Sequence, residues 1–294
     1  MNALLDIVFS GVFQGSLYAI MAVGLSLVWT TTGVFNFAHG ALIMLGAYIC
    51  WQLVDATGFA WPLYLALPAS MLIVGGVGWL LQRVLVNPFI GHPQIVLIVV
   101  IMTLAAGSFA ENAGLAAWGP RPKQLPPLVA GTIDLAGFNA SANQIAIMLA
   151  APVILLAVWM LLNRTRLGLS LRAVAQNNDS SLLVGLRPGY LYGLTFMLAA
   201  SLAALAGIFL GSFKFMSPTM GTEPLTKALV VVIFGGIGSV TGPIFAAYVI
   251  GLIEAASNYF FGLYWTPTLL FAILIATLMI RPEGLISVKQ RGLS

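Results

Sequence analysis

Apolar residues in this chain come in runs too long for a strand and too continuous for an ordinary surface helix. Ile7–Trp29, Leu63–Leu81, Gln94–Leu115, Gln144–Leu162 and Tyr190–Gly211 each read as one segment. At about 1.5 Å per residue, helices of this length cross a hydrocarbon core of about 30 Å. Four shorter runs, Ala41–Leu53, Leu225–Phe234, Ile244–Ser257 and Pro267–Ile280, lie between and after them. Two interruptions stand out against the apolar background: Thr30–Gly40 (TTTGVFNFAHG) and Gly235–Pro243 (GGIGSVTGP). Polar, helix-breaking sequence at membrane depth is tolerated only where it is buried in protein or lines a wet cavity. The pattern predicts an all-α polytopic integral membrane protein with about seven spanning helices plus a glycine-broken re-entrant hairpin. It forms one transmembrane domain over residues 1–294.

Composition supports the pattern. Of 294 residues, 60% are hydrophobic and 7% charged, against about 25% charged in a soluble domain. The net charge of +4 is not a nucleic-acid signal, because the few basic residues sit mainly in particular loops. The single cysteine, Cys50, lies in an apolar segment and has no intrachain partner. The N-terminus lacks a basic n-region and carries Asp6, so the first segment is expected to stay as a helix.

The polar stretches set the topology. Asn163–Gly189 holds four of the twelve basic residues, and the tail after Ile280 is also basic. Placing both in the cytoplasm brings Arg83, Arg164, Arg166, Arg172, Arg187, Arg281, Lys289 and Arg291 inside, eight of twelve. Asp6, Asp55 and the proline-rich loop Trp118–Asn143 then fall outside; residues 116–143 form the longest outer loop, able to make a small cap. Arg83–Pro93 is expected to be a short polar connection. The tail returns inside only if Leu225–Ser257 enters and leaves on the same side, turning at the glycines near midplane. Runs of about 10–14 apolar residues suit such re-entry.

Within TTTGVFNFAHG, Thr32, Asn36, His39 and Gly40 are candidates for the translocation pathway or its gate. Asn36 and His39 lie on neighbouring faces if the stretch is helical. Two uses are open to them: gluing helices together around an interrupted backbone, or lining the pathway. His39 has only His92 as a fellow histidine and no cysteine cluster, which argues against a metal. Gly235, Gly236 and Gly238 in GGIGSVTGP resemble a phosphate loop at first sight, but no Lys-Ser/Thr pair follows. A broken helix at a cavity, or tight packing, fits them better. A helix over about Leu169–Leu183 is partly apolar and partly charged; it either lies on the membrane surface or docks a partner. Glu111, Glu223 and Glu254 read as solvated residues near outer segment ends. That reading leaves no intramembrane ion-coupling group, and the chain has no nucleotide site.

Gly15–Tyr48, with its NFAHG core, resembles the N-terminal signature of branched-chain amino acid ABC importer permeases, especially the first of their two permease subunits. Arg166–Gly185, AGIFLG (Ala206–Gly211), GGIGSVTGP and RPEGL (Arg281–Leu285) resemble later landmarks in the same order. The resemblance implies a heterodimer of two related permeases, two cytoplasmic ATPases and a periplasmic solute-binding protein, in a bacterial inner membrane. It implies no cofactor on this chain, with ATP and magnesium in the ATPases. It turns the 163–189 loop into a coupling loop, with Arg172, Ala173, Gln176, Asn177, Asp179, Leu183 and Gly185 as ATPase-facing residues. The polar run Gln176–Asp179 carries fewer acids than the family pattern. The reading is a permease subunit that moves branched-chain or related small amino acids by ATP-driven alternating access and does no covalent chemistry. The rival is a stand-alone channel for a small neutral solute such as urea; a secondary transporter is a weaker one.

Overall fold

The computed structural model describes residues 2–55, 58–135, 138–281 and 284. Among the described residues, eleven α-helices and one short β-hairpin follow in chain order: α1 (Asn2–Thr32), α2 (His39–Val54), α3 (Leu63–Leu81), α4 (Ile95–Trp118), β1 (Thr132–Leu135), β2 (Phe138–Ser141), α5 (Ala142–Arg164), α6 (Arg166–Gln176), α7 (Asn178–Leu183), α8 (Pro188–Gly211), α9 (Thr222–Gly235), α10 (Gly242–Phe260) and α11 (Thr266–Ile280). Among the described residues, α1, α3 with its extension to Phe89, α4, α5, α8 and α10 are long and apolar enough to cross a membrane. The outer faces of α3, α4 and α5 expose Leu72, Phe109 and Leu149. Apolar exposure on this scale marks a lipid-facing surface.

Helix α1 is the central post. Its residues from Gly15 to Val28 are buried on every side, and α8 is buried nearly as fully. Small residues make this possible, because between membrane helices close approach replaces the hydrophobic drive. A Cβ on Gly251 of α10 would meet the Gly11 carbonyl oxygen of α1 at 2.5 Å. A Cβ on Gly207 of α8 would collide with the Ile43 carbonyl oxygen of α2.

Two apolar clusters define the ends of the bundle. At the α6 end, Leu27, Leu162, Leu171, Val174, Leu191 and Tyr192 pack together, with Val240 against them. At the hairpin end, Met44, Tyr48, Cys50, Leu53, Ala66, Leu125, Ile208 and Met216 pack together with Trp118. There Tyr48 stacks on Trp118 at 4.9 Å and the Lys123 ammonium lies 3.6 Å from the Trp51 ring centre. Asn143 ties the loop down: its Oδ1 accepts from Leu128 N–H at 2.9 Å and its Nδ2 donates to the Ser212 carbonyl at 3.2 Å.

The structure alters several expectations. Thr30, Thr31 and Thr32 are the last turn of α1, their hydroxyls donating to the carbonyls of Ser26, Leu27 and Val28 at 2.7 Å. The interruption is therefore residues 33–38 alone. Arg83–Pro93 is not a simple connection: the α3 helix runs on through a wider π turn (Gln82–Val86) and a tight 3-10 turn (Asn87–Phe89). The 116–143 loop includes the β1–β2 hairpin. The chain that enters from α8 at the hairpin end runs through α9 and α10 and leaves at the same end, and Gly284 packs on Gly236 at the α9–α10 turn. That turn is deeper than midplane, since Ser26, near the end of α1, donates to the Ser239 carbonyl at 2.7 Å. The predicted helix Leu169–Leu183 is two helices, because Asn177 is extended (φ −156°) and caps α7 by accepting from Ser180 N–H.

Two glycines separate packing from propensity. Gly207→Val should sharply lower the yield of monodisperse protein and its melting temperature, since a branched side chain meets the α2 backbone. Gly76→Ala, where a Cβ has open space, should be neutral or stabilising by up to about 1 kcal/mol. Equal melting curves for the two variants would remove the close-contact explanation.

Candidate translocation site

Two helices begin inside the molecule rather than at its ends. After α1, residues 33–38 fold back until His39 reaches Met21, well inside the C-terminal half of α1. The His39 Nε2 lies 3.1 Å from the Met21 carbonyl oxygen. A carbonyl only accepts, so Nε2 carries the proton, and Nδ1 has no partner among the described residues. From the opposite end, residues 212–221 fold in from α8 until Gly221 lies on Gly40, backbone against backbone. Helix α2 then runs to the hairpin end and α9 to the α6 end. At 16 and 14 residues they span about 24 and 21 Å, short of a hydrocarbon core. Discontinuous helices of this kind frame the sites of many transporters.

Most of the sequence-predicted pathway residues have a bracing contact or a turn to make. Thr32 closes α1. Asn36 is buried, and its Oδ1 accepts from Ala38 N–H at 3.1 Å, a local turn that starts α2. Phe37 N–H donates to the Thr103 hydroxyl of α4 at 3.2 Å. Gly40 allows the crossing with Gly221. Gly235 lies against Gly242, while Gly236 (φ 109°) and Gly238 (φ 94°) supply the left-handed turn between α9 and α10. They are brought into two groups: Thr32, Asn36, His39 and Gly40 around the α1–α2 return, and the three glycines at the α9–α10 turn. None of them lines the large cavity nearby.

That cavity, about 820 Å³, lies between α1, α9, α10, α11 and the 213–220 loop. Phe13, Leu17 and Met21 of α1 and Leu270 and Phe271 of α11 give it apolar walls. Its polar centre is a four-residue network. The Lys227 ammonium donates to Glu254 at 2.7 Å, to Glu223 at 2.8 Å and to the Tyr18 hydroxyl at 2.8 Å. Tyr18 in turn donates to the other oxygen of Glu254 at 2.7 Å. The expectation that Glu254 is a solvated end residue is wrong: its side chain is 7% exposed and faces α9 and α1. Linear hydropathy placed it near a segment end, but α10 runs antiparallel to α1 and carries it back against Tyr18. The one signal in the sequence was a lone lysine in LTKALVVV and a lone glutamate in LIEAAS, in a chain nearly free of charge.

Residues 7–280 match the family model for the permease component of branched-chain amino acid transport systems. The chain belongs to this family. It is 30% identical over 292 residues to the high-affinity branched-chain amino acid transport system permease protein LivH of Escherichia coli, covering 95% of this chain and 94% of that one. It is 29% identical over 289 residues to the corresponding protein BraD of Pseudomonas aeruginosa, covering 94% of each. The ribose import permease protein RbsC of Escherichia coli is similar too, 28% identical over 262 residues, 83% of this chain and 75% of that one. No solved structure matches.

In this permease, α6 and α7 stand at the α6 end. Arg172 is exposed and donates to Asn163 Oδ1 at 2.8 Å. Ala173 is half-buried on the inner face, and Gln176 and Asn177 are exposed. Leu183, 89% exposed, ends α7 as an apolar tip with Leu182 and Val184, and Gly185 turns the chain at φ 81°. Asp179 lies in α7, but its side chain is outside the described residues, as are Pro282, Glu283 and Leu285 of RPEGL.

The ion network makes a stability prediction. Lys227→Met leaves Glu254 buried without its cation and should cost about 3–5 kcal/mol. Adding Glu254→Gln should recover a large part of that loss. Additive losses in a double-mutant cycle of detergent unfolding would show that the pair is not coupled.

Proposed function

We propose that this permease is the membrane subunit of an ATP-driven importer for branched-chain or related small amino acids. The observation that carries the reading is the pair of half-helices α2 and α9, crossing at Gly40 and Gly221 beside a cavity with a buried ion network. A site at such a crossing reaches either face through small movements of the helices around it. The proposed cycle is alternating access. A loaded periplasmic solute-binding protein docks at the hairpin end, on the 116–143 loop. Two cytoplasmic ATPases, which hold the ATP and magnesium, close and push on α6 and α7. A second, related permease completes the pathway. This chain holds no cofactor of its own and contributes shape, hinge points and the cavity.

Charge supports the orientation in a bacterial inner membrane. Arg83, Arg164, Arg166, Arg172, Arg187 and Arg281 all gather at the α6 end, which the positive-inside rule makes cytoplasmic. The coupling role of residues 163–189 rests on their exposure. Arg172, Gln176 and Asn177, with the apolar tip Leu182–Val184, give a charged and apolar surface that no described residue of this chain covers. The similarity to a ribose permease shows that related chains are named for different solutes, so the amino-acid assignment rests on the higher coverage and identity of the LivH and BraD relatives.

In proteoliposomes holding the assembled importer and its binding protein, radiolabelled leucine should accumulate only with ATP inside. Passage of urea through this chain alone, without ATP, would favour the channel instead. Arg172→Glu reverses a charge on the proposed coupling surface. It should lower ATP-driven uptake by about tenfold or more while membrane insertion stays normal, and Leu183→Asp should act in the same direction. Wild-type coupling in both variants would count against α6–α7 as the docking element.

A further inference from the structure

We propose that Glu223, held by Lys227 at the edge of the cavity, is the acceptor for the ammonium group of a transported apolar amino acid. The proposal rests on the amino-acid permease reading above and assigns a residue to it. Its starting point is how the hydrogen bonds of the network are used. All three protons of the Lys227 ammonium are engaged, by Glu254, Glu223 and Tyr18. Both Glu254 oxygens are engaged, by Lys227 and Tyr18. Glu223 differs: Lys227 reaches its Oε1 only, and among the described residues its Oε2 has no partner. Its side chain is 64% exposed and lines the cavity.

The hydrogen-bonding arithmetic points the same way. Within the network two carboxylates share one ammonium, Lys214 lines the same cavity as a second cation, and Glu223 is the carboxylate left with an open oxygen. Ionisable groups at membrane depth are costly and are kept where they meet ions, protons or substrate. Lys227, Glu254 and Tyr18 suffice to tie α9, α10 and α1 together. Glu223 adds nothing to that tie beyond an i,i+4 contact within α9. The rest of the cavity complements the remainder of an amino acid. Phe13, Leu17, Leu270 and Phe271 offer an apolar wall, and Lys214 lines the same space with a second positive charge for a carboxylate. At about 820 Å³ the space falls within the roughly 300–1,000 Å³ of small-molecule sites. A solute without an ammonium group would leave the open Glu223 oxygen without a cationic donor.

The test uses the assembled importer, purified through this chain, with the solute-binding protein omitted. Binding of radiolabelled L-leucine is measured in competition with 3-methylbutylamine, which keeps the ammonium and the tail, and with 4-methylpentanoate, which keeps the carboxylate and the tail. Glu223→Gln should weaken leucine and the amine by about tenfold or more and leave the carboxylate probe unchanged; Glu223→Asp should recover part of the loss. Wild-type leucine binding by Glu223→Gln would overturn the proposal. So would equal loss of all three probes, which a merely structural role predicts, or absence of leucine binding to the wild-type importer. ATP-driven leucine uptake by the same importer variants in proteoliposomes, with the solute-binding protein added back, separates the two levels. A wild-type importer that imports no leucine sinks the amino-acid reading itself, whereas normal uptake with normal binding in Glu223→Gln sinks only the subsite.

Discussion

The structure depends on a constraint of the backbone: where a helix starts in the middle of a membrane protein, its loose peptide groups must find partners inside the protein. Two helices start there. At the α2 start, Asn36 turns the chain by accepting from Ala38 N–H, the Thr103 hydroxyl receives Phe37 N–H, and His39 holds the Met21 carbonyl. At the α9 start, the chain arrives on Gly40 so closely that neither glycine has room for a side chain. The two returns enter from opposite ends and stop at one another. The polar residues that look most like solute ligands in the sequence are occupied in making this crossing possible.

Helix α1 gives the crossing something to stand on. It is buried on all sides over its middle, receives α10 along Gly11 and Gly15, and presents the Met21 carbonyl to His39. The same helix faces the cavity with Leu17, Tyr18 and Met21. The α2–α9 crossing adjoins the cavity wall: Met21, whose carbonyl faces His39, lines the cavity, and so do Met220 and Glu223 on either side of Gly221.

The ion network gives the cavity a fixed interior. Lys227 and Glu254 come from the two arms of the re-entrant segment, and Tyr18 from the central post. A buried ion pair is a poor source of stability against an apolar replacement. Its value here is that it fixes the relative position of three helices while leaving Glu223 open to the cavity.

The apolar runs by themselves determined the all-α membrane class, the positions of the long helices to within a few residues, and the same-side entry and exit of Leu225–Ser257. Length against bilayer thickness and the placement of arginines are local or nearly local quantities, and a linear reading captures them. The sequence also marked both special stretches, TTTGVFNFAHG and GGIGSVTGP, because glycine and asparagine in apolar surroundings are visible without coordinates. Tertiary structure alone decided what those stretches do. Thr30–Thr32 stay helical by bonding their own preceding turn, a choice their polarity hides. Asn177 breaks the α6–α7 helix because its side chain can cap the next one. Above all, Tyr18, Glu223, Lys227 and Glu254 are dispersed over more than two hundred positions, and only the antiparallel packing of α10 on α1 brings them within hydrogen-bonding distance. Hydropathy along the chain records how apolar a segment is; it does not record which neighbour each face meets.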